Sequence, residues 1–203
     1  MADMIKDHIL DRPNSYIGRS VPRPNAKRLL AGRGTFTDDV TLPRQTHVAF
    51  LRSPYAHAEI LSIDVAAAKE ANGIVAVVTG SEMAEVCSPW VGVLTHLEGL
   101  KSAPQHALAV KKASWQGEPV VAVVANSRAQ AEDAIELIDI EWKELPVVAD
   151  METALDEDTP LIHPELGDNL AWQRDLDAGD VDVAFAKADH VIEETYISNR
   201  HTG

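Results

Sequence analysis

Apolar and polar positions along the chain fall into short periodic blocks. The longest uncharged block is Val120-Val121-Ala122-Val123-Val124-Ala125, β-branched and six residues long, as a strand buried on both faces would be. Asn126 and Ser127 follow as N-cap candidates. Ala129, Ala131, Ala134, Ile135 and Ile138 then recur every three to four places, which predicts an amphipathic helix packed back on that strand. Ile138-Asp139-Ile140-Glu141-Trp142 alternates apolar with acidic, the period of a half-exposed strand. Trp115–Trp142 is therefore expected to form a βαβ unit whose helix has about three turns in which to cross over. The turn Asn126-Ser127-Arg128 has no glycines to admit a pyrophosphate, so the unit is not a dinucleotide site.

The same order recurs upstream. Gln45–Leu51 and Ala58–Val65 predict two paired strands joined by Arg52-Ser53-Pro54-Tyr55-Ala56-His57. Asp64 can cap a short helix through Ala66–Lys69 that Gly73 ends. Ile74–Thr79 is a second apolar strand, and Ser81 is the expected cap of a short helix reaching Val86. Cys87–Lys112 lacks periodicity and carries Pro89, Gly92, Gly99 and Pro104; a connection this long in a compact domain is usually a functional or interface loop. Beyond Leu145-Pro146-Val147, residues 150–180 are acidic and punctuated by Pro160, Pro164, Gly167 and Gly179. They predict a surface linker with helical pieces at Met151–Leu155 and Val181–Lys187. His190–Ser198 predicts a strand without a sequential partner. Near the start, residues 17–34 form a basic arm with Arg19, Arg23, Lys27, Arg28 and Arg33. Pro22 and Pro24 keep its first half extended, and Ala26–Ala31 suffices for one helical turn.

Composition narrows the class. A chain of 203 residues that is 45% hydrophobic can build a real core, and a low aromatic content with eleven Gly and eleven Pro fits a loop-rich α/β body. No apolar run approaches the roughly 20 residues of a membrane span, and no secretory hydrophobic region opens the chain, so a cytoplasmic protein is expected. The net charge of −14 is lopsided. Residues 1–130 hold 14 Lys and Arg against 12 Asp and Glu, while residues 131–203 hold 4 against 20. Such a field argues against nucleic acid and anionic membranes as partners.

Candidate chemistry is sparse. Cys87 stands alone, which excludes an internal disulfide or a Cys-rich metal site, and it is expected to be a small buried hydrophobe near Val86. The histidines at 8, 47, 57, 96, 106, 163, 190 and 201 show no metal-ligand spacing, although His47 and His57 could approach across the expected hairpin. Ser53-Pro54 and Ser81 do not form a nucleophile elbow. Asp38-Asp39, Glu157-Asp158 and Glu193-Glu194 look like turn and surface carboxylates rather than an acid–base pair. Gly32-Arg33-Gly34 lacks the Lys-Ser/Thr of a phosphate loop.

Three long motifs nonetheless resemble one family. IGRSVPRPNAKRLLAGRGTFTDD, then VAFLRSPYAHAEILSIDVAAAKEANGIVAVVTG, then QHALAVKKASWQGEPVVAVVANSRAQAEDAIELIDIEWKELP are similar, in that order, to the opening of the molybdopterin-binding large subunit of molybdenum hydroxylases. That group includes xanthine dehydrogenase, aldehyde oxidase and aerobic carbon monoxide dehydrogenase. The resemblance implies an α/β (α+β) hammerhead with a mixed sheet and short crossover helices over residues 34–146. Residues 1–33 would be a basic arm, 147–189 an acidic linker, and 190–203 the start of the molybdopterin-binding domain.

In such enzymes the cofactor-binding segments and the assisting glutamate come later in the subunit. The resemblance therefore assigns no catalytic, cofactor-binding or metal-binding residue here, and a chain stopping at Gly203 is expected to be an inactive fragment. The whole enzyme would carry a molybdenum cofactor, with 2Fe–2S clusters and FAD on partner domains or subunits. It would hydroxylate an aldehyde, purine or N-heterocycle, or oxidise carbon monoxide. Expected partners are the rest of the large subunit and the iron–sulfur and flavin subunits, with a homo-oligomer left open. The competing expectation is a free-standing, non-catalytic binding or assembly module of the same fold.

Overall fold

A computed structural model describes residue 16, residues 21–92, residue 94 and residues 96–198. The chain divides into two units, residues 1–45 and residues 46–203. In the first, helix α1 (Ala26–Leu30) follows the two prolines as the sequence predicts, and its last turn carries Lys27 and Arg28. Arg28 Nη1 donates to the Arg33 carbonyl at 3.2 Å, closing the end of the arm. A 3-10 turn at Thr37–Asp39 is held by the Phe36 amide donating to Asp39 Oδ2 at 2.9 Å.

The second unit holds two three-stranded sheets. Its strands are β1 (His47–Arg52), β2 (Ala58–Asp64), β3 (Ile74–Thr79), β4 (Lys112–Ala113), β5 (Pro119–Ala125) and β6 (Asp139–Glu144). The first sheet runs β1-β5-β3 and the second β4-β2-β6. The helices are α2 (Ala66–Glu70), α3 (Gly80–Val86), α4 (Arg128–Ile135) and α5 (Val181–Lys187). This is the helix-and-sheet α/β architecture expected, with one difference in detail. Every strand pairing among the described residues is antiparallel, so neither sheet is mixed.

The apolar block 120–125 behaves as its composition demands. β5 is the central strand of its sheet, and Val120, Val121, Val123 and Ala125 are fully buried. Burying one such valine side chain stabilises the fold by roughly 1.5–3 kcal/mol. Ser127 caps α4 by accepting from the Gln130 amide, and Ala131 and Ala134 press onto the inner face of the sheet. β6 lies elsewhere, however. It pairs with β2 in the second sheet, so β5-α4-β6 is a link between two sheets and not a βαβ unit within one. The physical reason is already in the pattern: β5 is apolar on both faces and belongs at a centre, whereas β6 alternates and belongs at an edge with one solvated face.

A similar split corrects the expected hairpin. β1 pairs with β5 and β2 with β6 and β4, so His47 and His57 do not face each other across a turn. Between them Ser53 is buried and its amide donates to the Glu118 carbonyl at 2.9 Å, which directs the chain from one sheet to the other. Alternation identifies the buried face of a strand but not its neighbour.

Four smaller expectations also change. Thr79, not Ser81, caps α3: its hydroxyl accepts from the Glu82 amide while Glu82 reaches back to the Thr79 amide at 2.7 Å, the reciprocal box read as T-x-x-E. Cys87 is exposed at the end of α3 rather than buried. Met151–Leu155 forms turns instead of helix, and the ordered turn of that region is a 3-10 turn at Pro164–Leu166. Residues 190–198 join no ladder and are exposed throughout. Helix α5 forms where expected, capped by Asp180 Oδ1 on the Val183 amide at 3.0 Å.

Candidate functional site

The aperiodic stretch 87–111 and the acidic stretch 147–172 meet on the second unit, and side chains stitch them together. The Lys101 amide donates to the Ala171 carbonyl at 2.8 Å, and Lys101 Nζ reaches the Leu166 carbonyl and forms an ion pair with Asp168. Trp172 Nε1 donates to the Glu98 carbonyl at 3.1 Å. Lys112 Nζ donates to the Ile162 carbonyl at 2.5 Å. Within the acidic stretch, Asn169 Nδ2 donates to the carbonyls of Ala154 and Pro160, both at 3.0 Å, while its Oδ1 accepts from the Ile162 amide at 3.3 Å. The stretch is thus a strap fastened by specific bonds.

Two cavities lie along this seam. One, of about 390 Å³, is lined by Lys101, Gln105, Val148, Ile162, His163 and Leu166 among others. The second, of about 340 Å³, is lined by His106, Lys111, Lys112, Glu118, His163 and Glu165 among others. His163 borders both and sits 3.3 Å from Glu165 Oε1. Glu118 is the buried charge of the second cavity, with 7% of its surface exposed. Burial pushes its carboxyl above the usual carboxylate range, opposed by hydrogen bonds from the Ser114 amide, at 2.6 Å, and the Trp115 amide, and by the charge of Lys112. Glu165 is held low chiefly by its own backbone amide, and Asp168 by the hydrogen bond from Lys101. These groups give the two cavities a mixed-charge lining.

Among the described residues the seam offers neither a cluster of metal-ligating side chains nor a run of glycine amides. No group of three His, Cys, Asp or Glu side chains among the described residues converges in a way that could hold a metal ion. The segment of the second cavity between Pro104 and Glu118 has no run of glycine amides to cradle a phosphate.

The residues weighed in the sequence are dispersed. His57 is buried, its Nδ1–H donates to the Pro146 carbonyl at 2.8 Å, and its Nε2 is buried without a hydrogen-bond partner. The carbonyl acceptor fixes the proton on Nδ1. His96, His106 and His190 are exposed, and His8 and His201 lie outside the described residues. Asp38-Asp39, Glu157-Asp158 and Glu193-Glu194 are exposed. Sequence reasoning did not find Glu118 or the fastening residues Lys101, Lys112 and Asn169. The one available signal was an acidic residue between glycine and proline at the mouth of the most apolar strand, where the backbone is already committed to the core.

Comparison with known proteins places these features. The family described as "Aldehyde oxidase and xanthine dehydrogenase, a/b hammerhead domain" matches residues 31–146. The nicotine 6-hydroxylase large subunit of Paenarthrobacter nicotinovorans is 38% identical over 199 residues, 94% of this chain and 24% of that protein. The carbon monoxide dehydrogenase large chain of Afipia carboxidovorans is 32% identical over 187 residues, 85% of this chain and 22% of that protein. Among solved structures, quinoline 2-oxidoreductase from Pseudomonas putida 86 superposes with a TM-score of 0.63 at 44% identity, covering 70% of this chain and 18% of the other. Reconstituted CO dehydrogenase from Oligotropha carboxidovorans gives 0.66 at 32% identity, covering 85% and 22%. The chain spans about a quarter of the length of these two curated relatives.

Proposed function

Because the chain belongs to the aldehyde oxidase and xanthine dehydrogenase family through its a/b hammerhead domain, we propose that it serves as the hammerhead part of a molybdenum-hydroxylase large subunit. The observation that carries this reading is the alignment with the nicotine 6-hydroxylase large subunit, which runs over 94% of the chain and so continues past the hammerhead into the strap. In this reading residues 34–146 are the hammerhead, 1–33 a basic arm, 147–189 the linker, and 190–203 lead into the molybdopterin-binding part.

The contribution of this chain is mechanical. α4 and the two sheets form one block, the bonds of Lys101 and Lys112 hold the linker along it, and Asn169 closes the linker on itself. The molybdenum cofactor supplies oxygen transfer to an electron-poor carbon when bound, and it would be held by residues outside this chain. Iron–sulfur and flavin subunits are the inferred partners, since relatives are named as subunits of complexes.

A chimera tests the reading. In it, this chain replaces the matched segment of the Paenarthrobacter nicotinovorans nicotine 6-hydroxylase large subunit, co-produced with the partner subunits of that enzyme. A soluble chimera that reduces dye with nicotine supports the reading. A chimera that is insoluble or inactive beside an active parent sinks it.

A further inference from the structure

The two sheets differ in what they turn away from the core. In the second sheet, β2 and β6 present polar side chains: Lys143 Nζ bonds Glu59 Oε2 at 2.9 Å, and the Ser62 hydroxyl donates to Glu141 Oε2 at 3.4 Å. That face is built for water.

The first sheet is different. Its register sets Val48 beside Val124 and Val124 beside Ala76, then Phe50 beside Ala122 and Ala122 beside Val78. These are the positions opposite the ones that pack with α4, and all six are apolar. A one-sided sheet facing water interleaves polar residues at such positions. None of these six is polar, and the nearby Arg52 guanidinium, 5.6 Å from the Phe50 ring centroid, donates to the Gly117 carbonyl at 2.9 Å.

The loop covers one end of this face. The Ala109 amide donates to the Pro119 carbonyl at 2.8 Å, Leu108 and Ala109 are buried, and Val120 and Ala122 are 0% and 7% exposed. The other end is open, with Val48 51% and Phe50 43% exposed. The neighbouring Val75, displaced outward at a bulge in β3, is 58% exposed.

We propose that the open end of this face is the seat on which the remainder of a family large subunit docks, through an uncharged aliphatic surface of its own. The proposal rests on the reading of the chain as part of such a subunit. Three considerations select this occupant. The matched relatives carry this stretch inside polypeptides of which it is 24% and 22%, so a covering surface belongs to the same molecule. This chain's own apolar tail does not sit there, since Val191, Ile192, Tyr196 and Ile197 are 59–89% exposed. A second copy would need about 800 Å² per partner for a stable dimer, whereas Val48, Phe50 and Val75 on β1 and β3 offer a few hundred at most.

Cysteine accessibility tests it. In a Cys87→Ser background, Val48→Cys probes the apolar face and Leu61→Cys, at 52% exposure in β2, is the reference. In the 203-residue chain both should react with maleimide at similar rates. In the chimera described above, Cys at 48 should slow by about tenfold or more while Cys at 61 does not. Equal reactivity at 48 in a soluble, active chimera overturns the inference and leaves the family reading standing. An insoluble chimera removes the occupant and overturns both. Slow, concentration-dependent labelling at 48 in the chain alone identifies a second copy as the occupant and overturns the inference.

Discussion

Gly80 and Ala109 touch backbone to backbone. A Cβ built on Gly80 would overlap the Ala109 carbonyl oxygen, with the Leu108 carbonyl next in line, so the first residue of α3 is glycine because the loop passes directly over it. Gly80→Ala should therefore destabilise the chain by about 1–3 kcal/mol, with no rotamer able to relieve the clash. The urea midpoint checks this, and an unchanged midpoint would show that the loop yields freely.

The box at the start of α3 predicts a dependence on pH. The Thr79 amide and hydroxyl both donate to Glu82, and these bonds, aided by Lys69, hold its carboxyl below the usual range. The stabilisation is present above the unfolded pKa and lost as pH falls through the lowered folded one. Glu82→Gln should lower stability at neutral pH and leave it nearly unchanged in acid, read from urea midpoints across the acidic range.

Glu118 works in the opposite sense. Burial raises its carboxyl, so its contribution is complete below the unfolded pKa and declines as pH rises through the raised folded value. Glu118→Gln, which keeps an acceptor for the Ser114 amide, should be at least as stable as the parent at neutral pH and should remove this decline. A thermal-unfolding series against pH gives the comparison.

Asn169 is the strap's internal clasp, with three hydrogen bonds to backbone groups of residues 154–162. Asn169→Ala should speed amide exchange and proteolysis between residues 150 and 172 while the sheets keep their protection. Each hydrogen bond contributes about 1 kcal/mol, so opening should become on the order of a hundredfold more frequent.

What could be read in the residues was local. The apolar block 120–125, the Ser127 cap and the alternation of β6 each state a face and a period, and the fold honours them. Partnership was not readable, because the same alternation serves a hairpin or a strand whose mate lies far along the chain; β1 and β2 took the second course. Cys87 shows a related limit. A small thiol beside Val86 looks like core, but a helix as short as α3 ends before it can turn that position inward, and Val86 is itself 85% exposed. The family was legible in long motifs that no periodicity explains, whereas Glu118 and the strap depended on contacts between segments with no pattern of their own.

The pairing of β1 with β5 and of β2 with β6 also sets an order of events during synthesis. The first strands to leave the ribosome have no mates: His47 must wait for Ala125, and Asp64 for Asp139. The first sheet cannot close until the chain has been made through β5, nor the second until it has been made through β6, and Val48 and Phe50 stay open to water and to other nascent chains throughout the first interval. Folding should consequently be slow for a unit of this size and dependent on chaperones that shield apolar strands.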